Sequence, residues 1–286
     1  MKKIIFIVIL AFLLVSCGNK KKEPLTESLS ADTVVVDSSL EVDSLFVPEN
    51  DTLQELTPPE IVNELFDDFI FNFAQDKELQ LSRIIFPLSY YKKEIPLKIE
   101  KEEWEHDSLF FAQSYYTILF DREEELDMLG DTSMVSAQVE WNYLAEHLAK
   151  KYYFQKIEGR WMLEAINLRD IKDTKNSSFF EFYHHFATDT LYQVEHIHDP
   201  LEFVTADPDD DFEVLETTLD SNQWMVFKPE LPRETLTNIS YGQENMDNSQ
   251  TKIIQLRGIG NGFMNTLFFH RKGGKWSLYR FEEVNN

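Results

Sequence analysis

The sequence contains almost no cysteine, and it has far fewer basic than acidic residues. Among 286 residues the single cysteine is Cys17, so no disulfide bond can form within the chain. Lys and Arg number 27 against 51 Asp and Glu, which leaves a formal net charge of −24. Nucleic-acid binding needs clustered cations, and so does adhesion to anionic lipid headgroups. The charge balance disfavours both, and we expect no nucleic-acid partner.

The N-terminus has the form of an export signal. Met1-Lys2-Lys3 is cationic, and the apolar stretch Ile4–Leu14 is too short to cross a bilayer. The sequence LVSC that follows resembles the lipobox of bacterial lipoproteins, which are cleaved before the cysteine and acylated on it. The resemblance implies a signal peptide over residues 1–16, palmitate or a similar acyl chain on Cys17, and membrane attachment through these chains. The alternative is an ordinary signal with an incidental cysteine.

Residues 17–56 are predicted to form an acidic, disordered tether. From Glu23 to Glu60 there are ten acidic residues, no Lys or Arg, and a single aromatic, Phe46. Such a segment cannot bury enough apolar surface to offset its chain entropy, and its like charges repel. We expect it to hold the globular part of the chain away from a membrane.

The remainder of the chain contains an internal repeat. The stretch FHRKGGKWSL at residues 269–278 matches FQKIEGRWML at residues 154–163, and further matches recur upstream at an offset of 113, such as Phe73 with Phe186. A duplication explains these matches, with loops that differ in length between the copies. We therefore predict two tandem domains, residues 57–172 and residues 173–286.

Each copy is predicted to begin with helices and to continue with a curved antiparallel sheet. Thr57 and Glu60 form a capping box, and the apolar residues behind it recur every four positions. Ser178 and Glu181 form the corresponding box in the second copy. Shorter helical stretches, alternating strands and Gly-containing hairpins follow. This order of elements is an α+β plan.

With these elements in place, the chain resembles a family of Bacteroidetes lipoproteins, the domain of unknown function 4348. The resemblance covers about residues 60–284. Besides the two ending hairpins, it is carried by FNFAQDKELQLSRIIFPL (71–88), FDREEELDMLGDTS (120–133), FYHHFATDTLYQ (182–193), EHIHDPLEF (195–203) and NISYGQ (238–243). It implies two tandem nuclear-transport-factor-2-like domains, each a cone in which a bent sheet wraps around the first long helix. Relatives with this fold include enzymes and plain binding modules, so no catalytic residue is carried over.

Two groups of side chains have the chemistry of metal ligands. Asp207, Asp209 and Asp211 alternate as in a calcium loop, but that loop needs glycine at the next position, which is Phe212. His185 and His196 lie on either side of a helix break, so both could face a zinc ion. The simpler interpretations are a solvated hairpin tip for the aspartates and surface or capping roles for the histidines. We favour these and predict no metal and no cofactor.

Four tryptophans occupy matching positions in the two copies: Trp104, Trp161, Trp224 and Trp276. They could form a stacking platform for sugar rings. Repeated placement favours a role as core anchors instead, because aromatic side chains dominate core burial.

Together these patterns favour a lipid-anchored cell-envelope protein without catalytic activity, which binds a small apolar molecule or another envelope protein. No Ser-His-Asp motif can be recognised, and Cys17 is no free nucleophile once acylated. The alternative is an isomerase- or hydrolase-like enzyme with a pocket in one cone, and the histidines favour the second. Lys20–Lys22 follow the cysteine, where surface-exported lipoproteins of this bacterial group resemble one another in carrying acids, so we predict a periplasm-facing anchor.

Overall fold

The computed structural model describes residues 64–128, 133–241 and 249–284. Over these residues the chain forms an α+β fold with two six-stranded sheets, which confirms the predicted fold class. The predicted signal peptide, Cys17 and the tether lie outside the described residues. None of the described helices is long and apolar enough to span a membrane.

The same order of helices and strands occurs in both halves of the chain. The first half contains α1 (Phe66–Gln75), α2 (Lys77–Ser82), β1 (Ile84–Lys92), β2 (Ile95–Ile99), β3 (Tyr115–Phe120), β4 (Ser136–Tyr143), β5 (Leu148–Ile157) and β6 (Arg160–Asp170). The second half contains α3 (Ser177–Thr188), α4 (Thr190–Glu195), β7 (Ile197–Asp207), β8 (Asp210–Leu219), α5 (Ser221–Phe227), β9 (Thr235–Ser240), β10 (Thr251–Gly258), β11 (Met264–Lys272) and β12 (Lys275–Glu283). Short 3₁₀ helices at Lys101–Glu103 and Leu109–Ala112 stand in the first half near the place that α5 takes in the second.

The two halves exchange one strand. The strand order is β2-β1-β6-β5-β4-β9 in the first sheet and β8-β7-β12-β11-β10-β3 in the second. Strand β3 of the first half thus pairs antiparallel with β10, and β9 of the second half pairs antiparallel with β4. The sequence did not predict this exchange. The boundaries 57–172 and 173–286 remain predictions, and each sheet is completed by a strand from the other half.

Strands β3 and β9 meet at a pseudo-twofold axis through Thr117 and Thr237, which occupy matching positions in the two copies. The Thr117 amide donates to Thr237 Oγ1 at 2.6 Å, and Thr237 Oγ1 lies 3.0 Å from the Thr117 carbonyl oxygen, to which it donates. In the opposite direction, Thr117 Oγ1 donates to the Thr237 carbonyl oxygen at 2.6 Å. The Leu119 amide donates to Asn238 Oδ1 at 2.9 Å. Each strand is the last of its sheet, so these bonds satisfy backbone groups that a free sheet edge would expose.

Both cones are filled by aromatic side chains from the long helix and the sheet. The buried rings that match between the first and second cones are Phe66 and Phe179, Phe69 and Phe182, Phe73 and Phe186, Phe154 and Phe269, and Trp161 and Trp276. Phe154 packs edge-on against Phe73, with ring centroids 5.3 Å apart, and Phe269 packs in the same way against Phe186 at 5.4 Å. Trp161, Trp224 and Trp276 are core residues, as predicted, whereas Trp104 is only half-buried.

The predicted first helix does not run through Leu65, and α3 starts earlier than predicted. The predicted first box, Thr57 and Glu60, lies outside the described residues, but Leu65 has an extended backbone and α1 begins after it. Extended geometry there lets the Glu64 carboxylate bind Arg83 at 2.6 Å. Helix α3 begins at Ser177 rather than after Ser178, and its N-cap is Asn176.

The predicted hairpins are confirmed. Glu158 and Gly159 join β5 to β6, and Gly273 and Gly274 join β11 to β12. All four residues have positive φ, between 50° and 83°, as a tight two-residue turn requires. The glycine-rich stretch 258–262 ends β10 and leads into β11, so it too belongs to a hairpin.

Candidate functional site

A pocket of about 470 Å³ lies at the mouth of the first cone. Its walls come from β1, β2, β5, β6 and the loop after the first 3₁₀ helix, and they include Tyr90, Ile99, Trp104, His106, Asp107, Lys150 and Ile166. Glu103, Glu105 and Ser108 also line it, so the pocket combines aliphatic and aromatic walls with five groups that can carry charge.

Asp107 is the centre of the polar groups in this pocket. Its Oδ2 lies 3.1 Å from Lys150 Nζ and accepts a short hydrogen bond from the Tyr152 hydroxyl. Its Oδ1 accepts the Leu109 amide at 3.0 Å. The side chains of Asp107 and Lys150 are 27% and 26% exposed, so the ion pair is shielded from solvent but not sealed.

The Gln80 side chain holds this loop against the end of α1. Its Nε2 donates to the carbonyl oxygens of Phe73 at 2.9 Å and Asp107 at 2.8 Å. Its Oε1 accepts Trp104 Nε1 at 3.0 Å and the Asp107 amide at 2.9 Å. All four hydrogen-bonding positions of the buried amide are thus used, which fixes Trp104 and Asp107 relative to the core.

The electrostatics keep Asp107 ionised and Tyr152 neutral. Burial alone would raise the pKa of Asp107, but the Lys150 charge and the hydrogen bonds from Tyr152 and Leu109 outweigh it, so this pKa lies below its ordinary value. Burial and the Asp107 charge raise the pKa of Tyr152 well above its ordinary value. Near the pocket, Nε2 of His106 is buried and has no hydrogen-bond partner among the described residues.

The second cone keeps the supporting groups and lacks the Asp–Lys ion pair, although Lys228 lies there and donates to Gln193 at 2.8 Å. Gln193 Nε2 donates to the Phe186 carbonyl oxygen at 2.8 Å, and Gln193 Oε1 accepts Trp224 Nε1 at 3.1 Å, as their counterparts do in the first cone. The positions that match Asp107, Lys150 and Tyr152 hold Phe227, Asn265 and Leu267. Sequence reasoning favoured the second cone for a pocket with ionisable groups, but those groups converge in the first.

The pocket residues could have been found by comparing the two copies position by position. Trp104 and Trp224 match at an offset of 120, and the same offset sets Asp107 against Phe227. A charged residue opposite a phenylalanine, three positions after a repeated tryptophan, marks a place where the copies have diverged. The pairing of Asp107 with Lys150 could not be found in this way, because it depends on how β5 lies against the loop.

The candidate zinc ligands His185 and His196 do lie near each other, with Tyr192 in contact with both rings. The His196 ring stacks on Tyr192 with centroids 3.9 Å apart, and the His185 ring centroid lies 5.6 Å from that of Tyr192. His196 Nδ1 is within hydrogen-bond distance, 2.8 Å, of the Tyr192 carbonyl oxygen. In residues 64–128, 133–241 and 249–284, no three His, Cys, Asp or Glu side chains are arranged to hold a metal ion.

The candidate calcium ligands lie at a hairpin tip, between β7 and β8. Asp207 Oδ1 accepts the Asp209 amide at 2.8 Å, a local turn bond that uses one of the oxygens a cation would need. The side chain of Asp211 lies outside the described part of the chain. The solvated hairpin tip expected from the sequence matches the described geometry.

A larger cleft, of about 890 Å³, runs between the halves of the chain and has His184 and His185 on its rim. Three of its charged groups, Lys93, Lys172 and Asp170, form exposed surface pairs. Lys93 binds Asp170 at 2.8 Å, and the two side chains are 55% and 30% exposed. Exposed pairs of this kind are screened by solvent, whereas the Asp107–Lys150 pair is partly shielded, so the first-cone pocket is the stronger candidate site.

Comparisons with known proteins agree with this fold and leave the activity open. A family model described as a domain of unknown function, DUF4348, matches residues 48–283. The chain is similar to a crystal structure of an NTF2-like protein from Bacteroides fragilis, with 56% sequence identity and a TM-score of 0.75. That similarity covers 80% of this chain and 100% of the other. A comparison with curated proteins finds no match.

Proposed function

We propose that this chain, which belongs to the family of the domain of unknown function DUF4348, is a lipid-anchored cell-envelope protein. We propose further that it binds a small molecule at the mouth of its first cone. In this proposal the protein catalyses no reaction. The observation that carries it is the pocket of about 470 Å³ around Trp104, Asp107 and Lys150. Its ionic groups have no counterpart in the second cone, although the supporting glutamine and tryptophan do.

The pocket suits a small molecule that combines an apolar part with a hydrogen-bond acceptor. Tyr90, Ile99 and Ile166 offer apolar walls on which its body can pack. An ammonium group has three donors. Lys150 Nζ directs one of them at Asp107 and lies 4.7 Å from the centroid of the Tyr152 ring. An acceptor on the ligand would add a hydrogen bond to Lys150.

Asp107 and Tyr152 are poorly suited to acid–base catalysis. A general acid or base works best with a pKa near the working pH. The pKa of Asp107 lies below its ordinary range and that of Tyr152 above it, so neither group changes protonation near neutral pH. The alternative, an isomerase- or hydrolase-like enzyme in the second cone, has less support, because the matching positions there include Phe227 and Leu267.

The anchor in this proposal is supported by the sequence alone. Cys17 at the end of the apolar run would carry the acyl chains, and Lys20–Lys22 favour a periplasm-facing position. Metabolic labelling with a fatty-acid analogue tests this step. We expect labelled protein from the normal chain and none from Cys17→Ala, and equal labelling of both would refute the anchor.

Native mass spectrometry of the full chain, extracted gently from the envelope, tests the pocket. We expect a reproducible additional mass that disappears on denaturation and is lost from Lys150→Met. The matched control is Lys228→Met, which removes a lysine from the mouth of the second cone, where it donates to Gln193 at 2.8 Å. No additional mass in the normal chain, or a mass that Lys150→Met retains with circular dichroism unchanged, would contradict the proposal.

A further inference from the structure

The second cone exposes apolar side chains at the end where α4 and α5 lie. The two short helices are tied together through Gln193, which accepts hydrogen bonds from Trp224 and Lys228. Four apolar residues point away from this joint into solvent. We call them the α4–α5 face, and with their exposed fractions they are Val226 (80%), Leu191 (79%), Phe227 (48%) and Val194 (42%).

The first copy has polar residues at three of the four corresponding positions. Where the second copy has Leu191, Val226 and Phe227, the first copy has Glu78, His106 and Asp107, whereas Val194 matches Leu81. The rest of the helical end is shared, including the buried glutamine and its tryptophan partner. Single exposed apolar residues are common on proteins, but several on two adjoining helices mark an interaction surface. The comparison between copies therefore indicates that the α4–α5 face serves the second cone alone.

The cation nearest to this face in sequence is Lys228, whose ammonium group donates to Gln193. Between residues 176 and 227 there are twelve acidic residues and no Lys or Arg, whereas residues 63–107, the matching part of the first copy, contain eleven acidic residues and six Lys or Arg. Glu195 is exposed directly beside Val194 on α4. Over this stretch the second copy keeps as many acids as the first copy but has none of the cations that the first copy carries there.

The negative charge around the α4–α5 face determines which kind of partner can bind there. A second copy of the chain would bring one uncompensated acidic surface against another, and an anionic lipid surface would be repelled in the same way. A cationic partner would instead be attracted, and its approach would be steered by the same field. We propose that the α4–α5 face docks a basic, amphipathic segment of another envelope protein. The apolar side of that segment covers the four side chains, and its cations reach Glu195 and the neighbouring acids.

A defined probe tests this docking on the full chain. The probe is a labelled helical peptide of Leu and Lys, and its control has Glu in place of Lys; binding is followed by fluorescence anisotropy. We expect the Leu/Lys peptide to bind and the Leu/Glu peptide not to bind. The double variant Leu191→Ser/Val226→Ser leaves the net charge unchanged and should lower the affinity roughly tenfold or more. The control Val135→Ser, at an apolar residue that is 62% exposed elsewhere, should bind like the normal chain.

A matched pair of charge variants separates docking from general attraction to an acidic protein. Glu195→Gln should weaken binding of the Leu/Lys peptide, while Glu78→Gln, exposed in the first copy, should not. Equal affinity of Leu191→Ser/Val226→Ser and the normal chain would overturn the proposal, and so would no binding of the Leu/Lys peptide at all. Self-association of the chain, or binding to anionic vesicles, that the same double variant abolishes would assign the face to those occupants instead. None of these outcomes depends on the first-cone pocket.

Discussion

The contact between Thr117 and Thr237 predicts an unequal response to two nearly identical substitutions. Thr237→Val removes the acceptor of the Thr117 amide and the donor to the Thr117 carbonyl, at 2.6 and 3.0 Å. Thr117→Val removes the donor to the Thr237 carbonyl, at 2.6 Å. A buried polar group that loses its partner costs about 1–3 kcal/mol. We therefore expect Thr237→Val to lower the free energy of unfolding by about 2–4 kcal/mol and Thr117→Val by about 1–2 kcal/mol.

Urea denaturation of the four chains, followed by circular dichroism and tryptophan fluorescence, measures these differences. The double variant should cost less than the sum of the single ones, because both share the contact between the two hydroxyl oxygens at 3.2 Å. Thr235→Val, on the same strand β9, is the control for the loss of a hydroxyl away from the axis. If Thr117→Val cost as much as Thr237→Val, the result would refute the assignment of two hydrogen bonds to the Thr237 hydroxyl and one to the Thr117 hydroxyl.

Much of the fold could be predicted because the chain repeats itself. Matching residues such as Gln80 and Gln193, found at a fixed offset, turn one ambiguous pattern into two that support each other. The hairpins were equally readable, since Gly159, Gly273 and Gly274 carry the local preference for positive φ. The hairpin pattern is local and the repeat occurs twice, so both can be recognised without knowing which helices and strands contact each other.

The strand exchange had no such local signal. Either copy could close its own sheet with its own strand, and the residues of β3 and β9 would alternate in the same way. What decides the pairing is the set of contacts across the axis, such as Thr117 with Thr237 and Leu119 with Asn238, which are far apart in sequence. The same reason explains the missed helix start, where the Glu64 carboxylate is engaged by Arg83 instead of continuing a helix.

The pocket around Asp107 was not recognised from the sequence, because it too depends on contacts between distant residues. Acidic residues are so common in this chain that Asp107 carried no information by itself. Its importance arises because β5 brings Lys150 and Tyr152 to it, an arrangement that depends on the sheet. Comparison with Phe227 would have singled out the position, since divergence between duplicated copies concentrates where their surroundings differ. Phe227 belongs to the α4–α5 face, so the same change between the copies separates the pocket of the first cone from the apolar face of the second.

A buried ion pair and the carboxylate of Asp107 give two further predictions, one for stability and one for its pH dependence. Lys252 pairs with Asp121 with both side chains almost fully buried, so Lys252→Met should lower the free energy of unfolding by roughly 3–5 kcal/mol. The control Lys172→Met, at an exposed pair with Asp170, should leave it unchanged in the same urea titration. For Asp107, the folded-state pKa lies below the unfolded value of about 3.9, so its stabilisation is complete above that pH and is lost as the pH falls through the folded pKa. The stability difference between the normal chain and Asp107→Asn should therefore be largest at neutral pH and shrink below about pH 4. A difference that stayed constant down to acid unfolding would mean that Lys150 and Tyr152 do not depress this pKa, and the ionic character of the pocket would be refuted with it.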